Sequence, residues 1–141
     1  MRQDPFPGLN FRVEIDGIAV AAFAECSGLS SETTVIEYRE GTDRQAGPRL
    51  LPGLTRYGPI VLRRGVTSNR DLWNWRKSVV DGAVQRLDGA VILLDAGHNE
   101  VARWTFSQAW PRKWEGPALR AAGNEVAIET LEIVCERIEL A

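Results

Sequence analysis

Hydrophobic and polar positions alternate along the chain in short stretches. The first stretch starts at Asn10, where Phe11, Val13 and Ile15 point one way while Arg12, Glu14 and Asp16 point the other. A period of two is the signature of a half-buried strand. Asp16-Gly17 then supplies a two-residue hairpin turn of the kind that needs positive φ. The returning stretch, Ile18 to Glu25, is apolar on both phases, which reads as a strand covered on both faces. After Ser27-Gly28, the β-branched and aromatic residues of Thr33 to Arg39 predict another strand. Glu40 to Gly58 then holds four glycines, two prolines and three arginines. It reads as a long loop, either ordered and functional or a disordered surface segment.

Pro59 to Arg64 alternates again and ends at Gly65. Ser68 and Asp71 are spaced as a capping box, so a helix is predicted over about residues 69–84. At 100° per residue, Leu72, Trp75, Val79 and Ala83 form one stripe, widened by Val80, Trp73 and Val84. That arc exceeds the roughly 100° stripe that seats a helix on a core, and its surplus edge, led by Trp73, is a candidate second contact. Gly82 offers an earlier end to the helix.

The remainder is β again. Gly89 to Asp95 is a near-continuous apolar run, Ala96-Gly97-His98-Asn99 is turn chemistry, and Glu100 to Ala109 alternates. Trp110 to Pro117 reads as an aromatic, proline-punctuated bend, and Asn124 to Leu140 as one long strand whose apolar phase slips twice. Slips of this kind mark a bulge or a strand covered on both faces. The pattern describes a mainly β domain: a small antiparallel barrel or sandwich with one flanking helix, preceded by an extended arm at residues 1–9.

Composition narrows the function. The 141 residues are 44% hydrophobic and 26% charged, which fits one domain able to bury a core. With 17 Lys and Arg against 19 Asp and Glu, there is no summed positive field to hold a nucleic-acid backbone. No apolar stretch approaches the ~20 residues of a spanning helix, so no membrane anchor is expected. The first residues lack an apolar signal region, and synthesis in the cytoplasm without a signal peptide is expected. Cys26 and Cys135 sit in apolar runs as buried thiols, with a disulfide possible but not the default.

Catalytic and ligand chemistry is sparse. His98 is the only histidine and lies in a predicted turn, with no nucleophile elbow to accompany it. Two distant cysteines and one histidine do not make a zinc site, and the glycines match neither a dinucleotide fingerprint nor a P-loop. Glu125, Glu129, Glu132, Glu136 and Glu139 read as solvated or interface charges rather than an acid and base pair. No enzyme, cofactor or metal is expected. The five tryptophans fit subunit packing at least as well as a ligand pocket.

Several strings, taken in order, then resemble one family. They are Phe-Arg-Val-Glu-Ile-Asp-Gly at 11–17, Cys-Ser-Gly-Leu at 26–29, Glu-Tyr-Arg-Glu-Gly at 37–41 and Leu-Leu-Pro-Gly-Leu at 50–54. Leu-Arg-Arg-Gly at 62–65, Leu-Trp-Asn-Trp at 72–75, Trp-Pro-Arg-Lys-Trp-Glu-Gly-Pro at 110–117 and Asn-Glu-Val-Ala-Ile-Glu-Thr-Leu-Glu at 124–132 complete the series. The chain resembles the tail tube proteins of contractile phage tails and of phage-tail-like extracellular contractile injection systems, relatives of the type VI secretion tube subunit. The resemblance implies a structural subunit, six copies closing into a ring and rings stacking into a hollow tube. Its partners would be further copies of itself, a contractile sheath, baseplate and tube-cap proteins, and cargo in the lumen.

In that family the long loop after the third strand reaches neighbouring subunits and the adjacent ring. The matching positions here are Tyr38, Arg39, Glu40 and Gly41, with Arg49, Leu50, Pro52, Gly53 and Leu54. Trp73, Trp110 and Trp114 join them as candidate contacts between subunits. A tube-initiating or baseplate-proximal paralogue is the alternative within the family, and a monomeric ligand-binding β-barrel the alternative outside it.

Overall fold

The computed structural model describes residues 10–18, 23–39, 41 and 47–141. The predicted arm at 1–9, most of the return strand after Ile18, Glu40 and residues 42–46 lie outside the described residues.

The order of elements is β1 (Asn10–Ile15), β2 (Glu25–Ser27), β3 (Ser31–Tyr38), β4 (Arg49–Tyr57), β5 (Ile60–Gly65), α1 (Asp71–Val80), β6 (Leu87–Leu94), β7 (Glu100–Glu115), β8 (Ile128–Val134) and β9 (Arg137–Leu140). Among the described residues all strand pairings are antiparallel. The main path runs β1-β6-β7-β8-β5-β2, with β9 also on β7, while β3 and β4 form a separate two-stranded ribbon.

The long strand β7 organises the body. Its first part pairs with β6 and, over Trp104–Ser107, with β9; its last part, from Trp110 to Glu115, pairs with β8. The change of partner falls at Gln108, where φ is 54° and the backbone N–H donates to Asp88 Oδ1 at 3.0 Å. The C-terminal segment changes sheets at the same corner, between β8 and β9, where Glu136 N–H donates to the Ser107 carbonyl at 3.0 Å. Bends and bulges are how strands turn such corners in sandwiches. The second phase slip in the sequence, after Cys135, coincides with this switch, so the long last strand is two short ones.

Inward residues of the two halves meet in one core. Val13, Ile15, Val91 and Phe106 come from one side, Ile60, Leu62, Leu131 and Ile133 from the other, and Leu72 and Trp75 of α1 pack against them. Phe106 lies so close over Gly89 that an added Cβ would fall 2.5 Å from its ring and 2.3 Å from the Glu14 carbonyl. Only glycine fits there.

Besides the division of the last strand, the structure departs from the sequence pattern at four places. Residues 49–57, expected as the second half of a loop, form β4, because Pro52 and Gly53 fall beside a break in the β3 register, where regular pairing is not required. The expected bend at 110–117 is mostly strand: Arg112 is an extra residue opposite β8, and this bulge lets buried Pro111 sit in the ladder. The helix ends at Val80 rather than near 84, with Gly82 at φ 80° just beyond. Its start is held not by a Ser68 capping box but by Asn69, whose Oδ1 accepts the Asp71 N–H at 2.8 Å. The Asp16-Gly17 turn forms as expected, with Ile18 N–H donating to Ile15 and Gly17 at φ 75°.

Candidate functional site

Two surfaces stand out because they expose apolar side chains that a solitary domain would cover. The first is the β3–β4 ribbon. Directly paired residues share a face, so Glu37 and Leu50 lie with Val35 and Pro52 on one side, while Tyr38 and Arg49 lie with Ile36 and Leu51 on the other. Both faces are therefore apolar, and both are exposed; Val35, Leu50 and Leu54 keep 64%, 66% and 72% of their surface in solvent. Besides its own pairing, the ribbon touches the body chiefly where β4 meets β9. An isolated two-stranded ribbon is marginal in water, and apolar patches of this kind mark contact surfaces.

The ribbon gathers most of the candidate residues. Tyr38, Arg49, Leu50, Pro52 and Leu54 are exposed on it, Gly53 is half-buried against Thr34, and Arg39 and Gly41, just beyond β3, are exposed. Glu40 lies outside the described residues. Thr34 Oγ1 accepts the Leu54 N–H at 3.0 Å, and Thr33 and Thr55 hydroxyls meet at 3.0 Å, which ties the strands across the register break.

The second surface lies on the helix side. Trp73 of α1 and Trp114 of β7 meet edge to face, with ring centroids 4.9 Å apart and an interplanar angle of 75°. That is a favourable aromatic geometry, and both rings are exposed. With Arg76, Lys77, Val80 and Asp81 they line an open cleft. Lys77 Nζ donates to Asp81 Oδ2 at 2.8 Å, and Arg76 Nη1 donates to the Pro111 carbonyl at 3.0 Å, fastening α1 to β7. Trp110, by contrast, is half-buried within β7 opposite Val134 and is not part of the Trp73–Trp114 contact.

Beneath this cleft runs a polar chain that the sequence reading missed. Arg64, 4% exposed, donates through Nε to Glu129 Oε1 at 2.7 Å and through Nη2 to the Asn69 carbonyl at 3.2 Å. Glu129 Oε2 in turn accepts the Trp114 indole N–H at 3.2 Å. Glu129 and Glu132 are thus shielded, paired acids rather than solvated charges, Glu132 binding Arg112 at 3.1 Å. The available signal was phase: Arg64 alternates with Ile60 and Leu62 on the inward side of β5, and an inward arginine requires an anion.

Among the described residues the remaining polar groups form no reactive assembly. His98 sits in the exposed β6–β7 turn at φ 62°, its N–H on the Asp95 carbonyl. Cys26 and Cys135 are free thiols, half-buried at the margin of the core. Burial, and secondarily the charge of Glu25, push the Cys26 thiol up to about 11, and burial also raises Cys135. Among the described residues no three metal-ligating side chains gather, and no helix is long and apolar enough to cross a membrane.

Residues 7–139 match the family model of the T4-like virus tail tube protein gp19. The chain belongs to this tail tube family. A comparison with curated proteins finds no match. Among solved structures, this tail tube protein is similar to a chain of the PVC sheath-tube complex, an extracellular contractile injection system in its extended state. The two are 25% identical with a TM-score of 0.86, over 97% of this chain and 91% of that one. A chain of the 6-fold symmetrised anti-feeding prophage baseplate is 28% identical with a TM-score of 0.87, over 99% and 97%. Hcp1 from Flavobacterium johnsoniae, at 17% identity, a TM-score of 0.58 and coverage of 93% and 94%, shares the fold. The tail tube protein is thus homologous to tube subunits of contractile injection systems.

Proposed function

We propose that the chain is a non-catalytic subunit of the inner tube of a contractile phage tail or a phage-tail-like injection system. Six copies close into a ring, and rings stack into a hollow conduit that carries cargo and is driven through a target envelope by a surrounding sheath. Side-to-side contacts close by rotation, whereas ring-on-ring contacts do not close and propagate a filament. Baseplate and cap proteins bound its ends. The PVC relative's place in a sheath-tube complex and the anti-feeding prophage relative's place in a 6-fold symmetrised baseplate support this reading.

The observation that carries it is the ribbon apolar on both faces. A one-sided patch is covered by one partner; a two-sided ribbon needs covering from both sides, as at a junction between neighbours within a ring and between rings. Tyr38, Arg39, Glu40, Gly41, Arg49, Leu50, Pro52, Gly53 and Leu54 form this joint, with Trp73, Trp110 and Trp114 as further subunit contacts. The domain as a whole is one tube unit, and the near-balanced charge suits repeated stacking of identical copies. Electron microscopy of the purified protein tests the proposal. Rings or hollow tubes of constant width are the expected result; a strictly monomeric protein at high concentration overturns it.

A further inference from the structure

The Trp73–Trp114 cleft and the ribbon are complementary in both apolarity and charge. The cleft carries two cations, Arg76 and Lys77, against one acid, Asp81. The two ribbon faces differ in sign: the side bearing Val35 and Leu50 also bears Glu37, whereas the side bearing Ile36 and Leu51 also bears Arg49. A cleft with surplus positive charge favours the Glu37 side and repels the Arg49 side. Within the chain the ribbon rests on β9 while α1 packs on β7, so each surface is open to another molecule. Donor and acceptor on one chain is what a heterologous contact between identical subunits requires.

We propose that the Glu37, Val35 and Leu50 side of one copy's ribbon docks into the Trp73–Trp114 cleft of a second copy, with Glu37 against Lys77 and Leu50 over Val80 and the rings. The inference rests on the tube reading and names which surfaces meet. Arg64 and Glu129 are positioning residues for it: they fix the indole of Trp114, and Trp114 fixes the edge-on partner Trp73. Preformed aromatic seats bind without first having to order their own side chains.

Assembled particles of Leu50→Cys/Val80→Cys, mildly oxidised and run on a non-reducing gel, test the contact. Linked multimers at least tenfold above either Leu50→Cys or Val80→Cys alone, each of which keeps the native Cys26 and Cys135, are expected. Tubes that assemble normally yet show no more linkage than the single variants overturn the docking and leave the tube reading intact. If the unmodified protein forms neither rings nor tubes, the tube reading falls and the docking with it. Should the cysteine variant itself fail to assemble, charge reversal decides: Glu37→Lys and Lys77→Glu each lower assembly at least tenfold, and the double variant recovers most of it. A double variant no better than the singles overturns the contact.

Discussion

Arg64 and Glu129 face each other directly across β5 and β8, and their side chains meet at 2.7 Å with the guanidinium almost wholly shielded from water. Such a pair is costly to break from one side, because the surviving charge stays buried. Glu129→Gln is expected to lower stability by about 3 kcal/mol, on the order of 10 °C in Tm. The near-UV circular dichroism of Trp114 should change in parallel. Replacing both, as Arg64→Met/Glu129→Leu, should recover most of the loss in a thermal melt. A Glu129→Gln melt identical to that of the unmodified protein would show that the pair contributes nothing.

Trp73 and Trp75 lie on one helix but in different surroundings. Trp75 is fully buried and donates its indole N–H to the Gln85 carbonyl at 2.8 Å, whereas Trp73 is 45% exposed. Trp75→Ala is expected to cost about 3–5 kcal/mol of fold stability. Trp73→Ala should weaken assembly more than it weakens the isolated subunit. Melting curves of dissociated subunits, set beside tube yield by sedimentation, separate the two; a large fall in Tm with unchanged assembly would make Trp73 a core residue.

Removing Thr42 to Pro48, most of which lies outside the described residues, should leave a folded body because the described core is built by β1, β5, α1, β6, β7 and β8. Ring stacking should be impaired. Tube lengths equal to those of the full chain, measured on micrographs, would refute a role for the segment in stacking.

The Cys26 thiol, raised to about 11 by burial, should be slow to alkylate. At pH 8 its thiolate fraction is roughly 100-fold below that of a thiol at the usual value near 9, since each unit is tenfold. Iodoacetamide labelling followed by peptide mass analysis should show this lag in native protein and its disappearance in urea. Equal rates in the two states would place Cys26 in solvent.

Period-two alternation located β1 and β5, and the apolar run located β6, because each has one clear inward phase. The same signal misplaced β4: Arg49 to Tyr57 contains Pro52 and Gly53, which punctuate loops in most chains, and its apolar residues have no inward phase because both faces are exposed. Pro111 disguised the length of β7 in the same way, since a bulge is a property of the pairing and not of the strand alone. Arg64 shares the inward phase of Ile60 and Leu62, a signal the sequence reading left unused, and Glu129 becomes its partner only through the β5–β8 register. Trp73 and Trp114 each stood out as large rings at surfaces; that they touch depends on where α1 lies along β7, which no local pattern encodes.

The sixteen-residue β7 has a mechanical consequence. One uninterrupted backbone belongs to both halves of the body, so force applied to either half reaches the other through covalent bonds and not through a loop that can stretch. Neither half can melt by itself without stripping partners from the same strand. A tube wall made of such units would yield, under thrust, between its subunits before it yields within them.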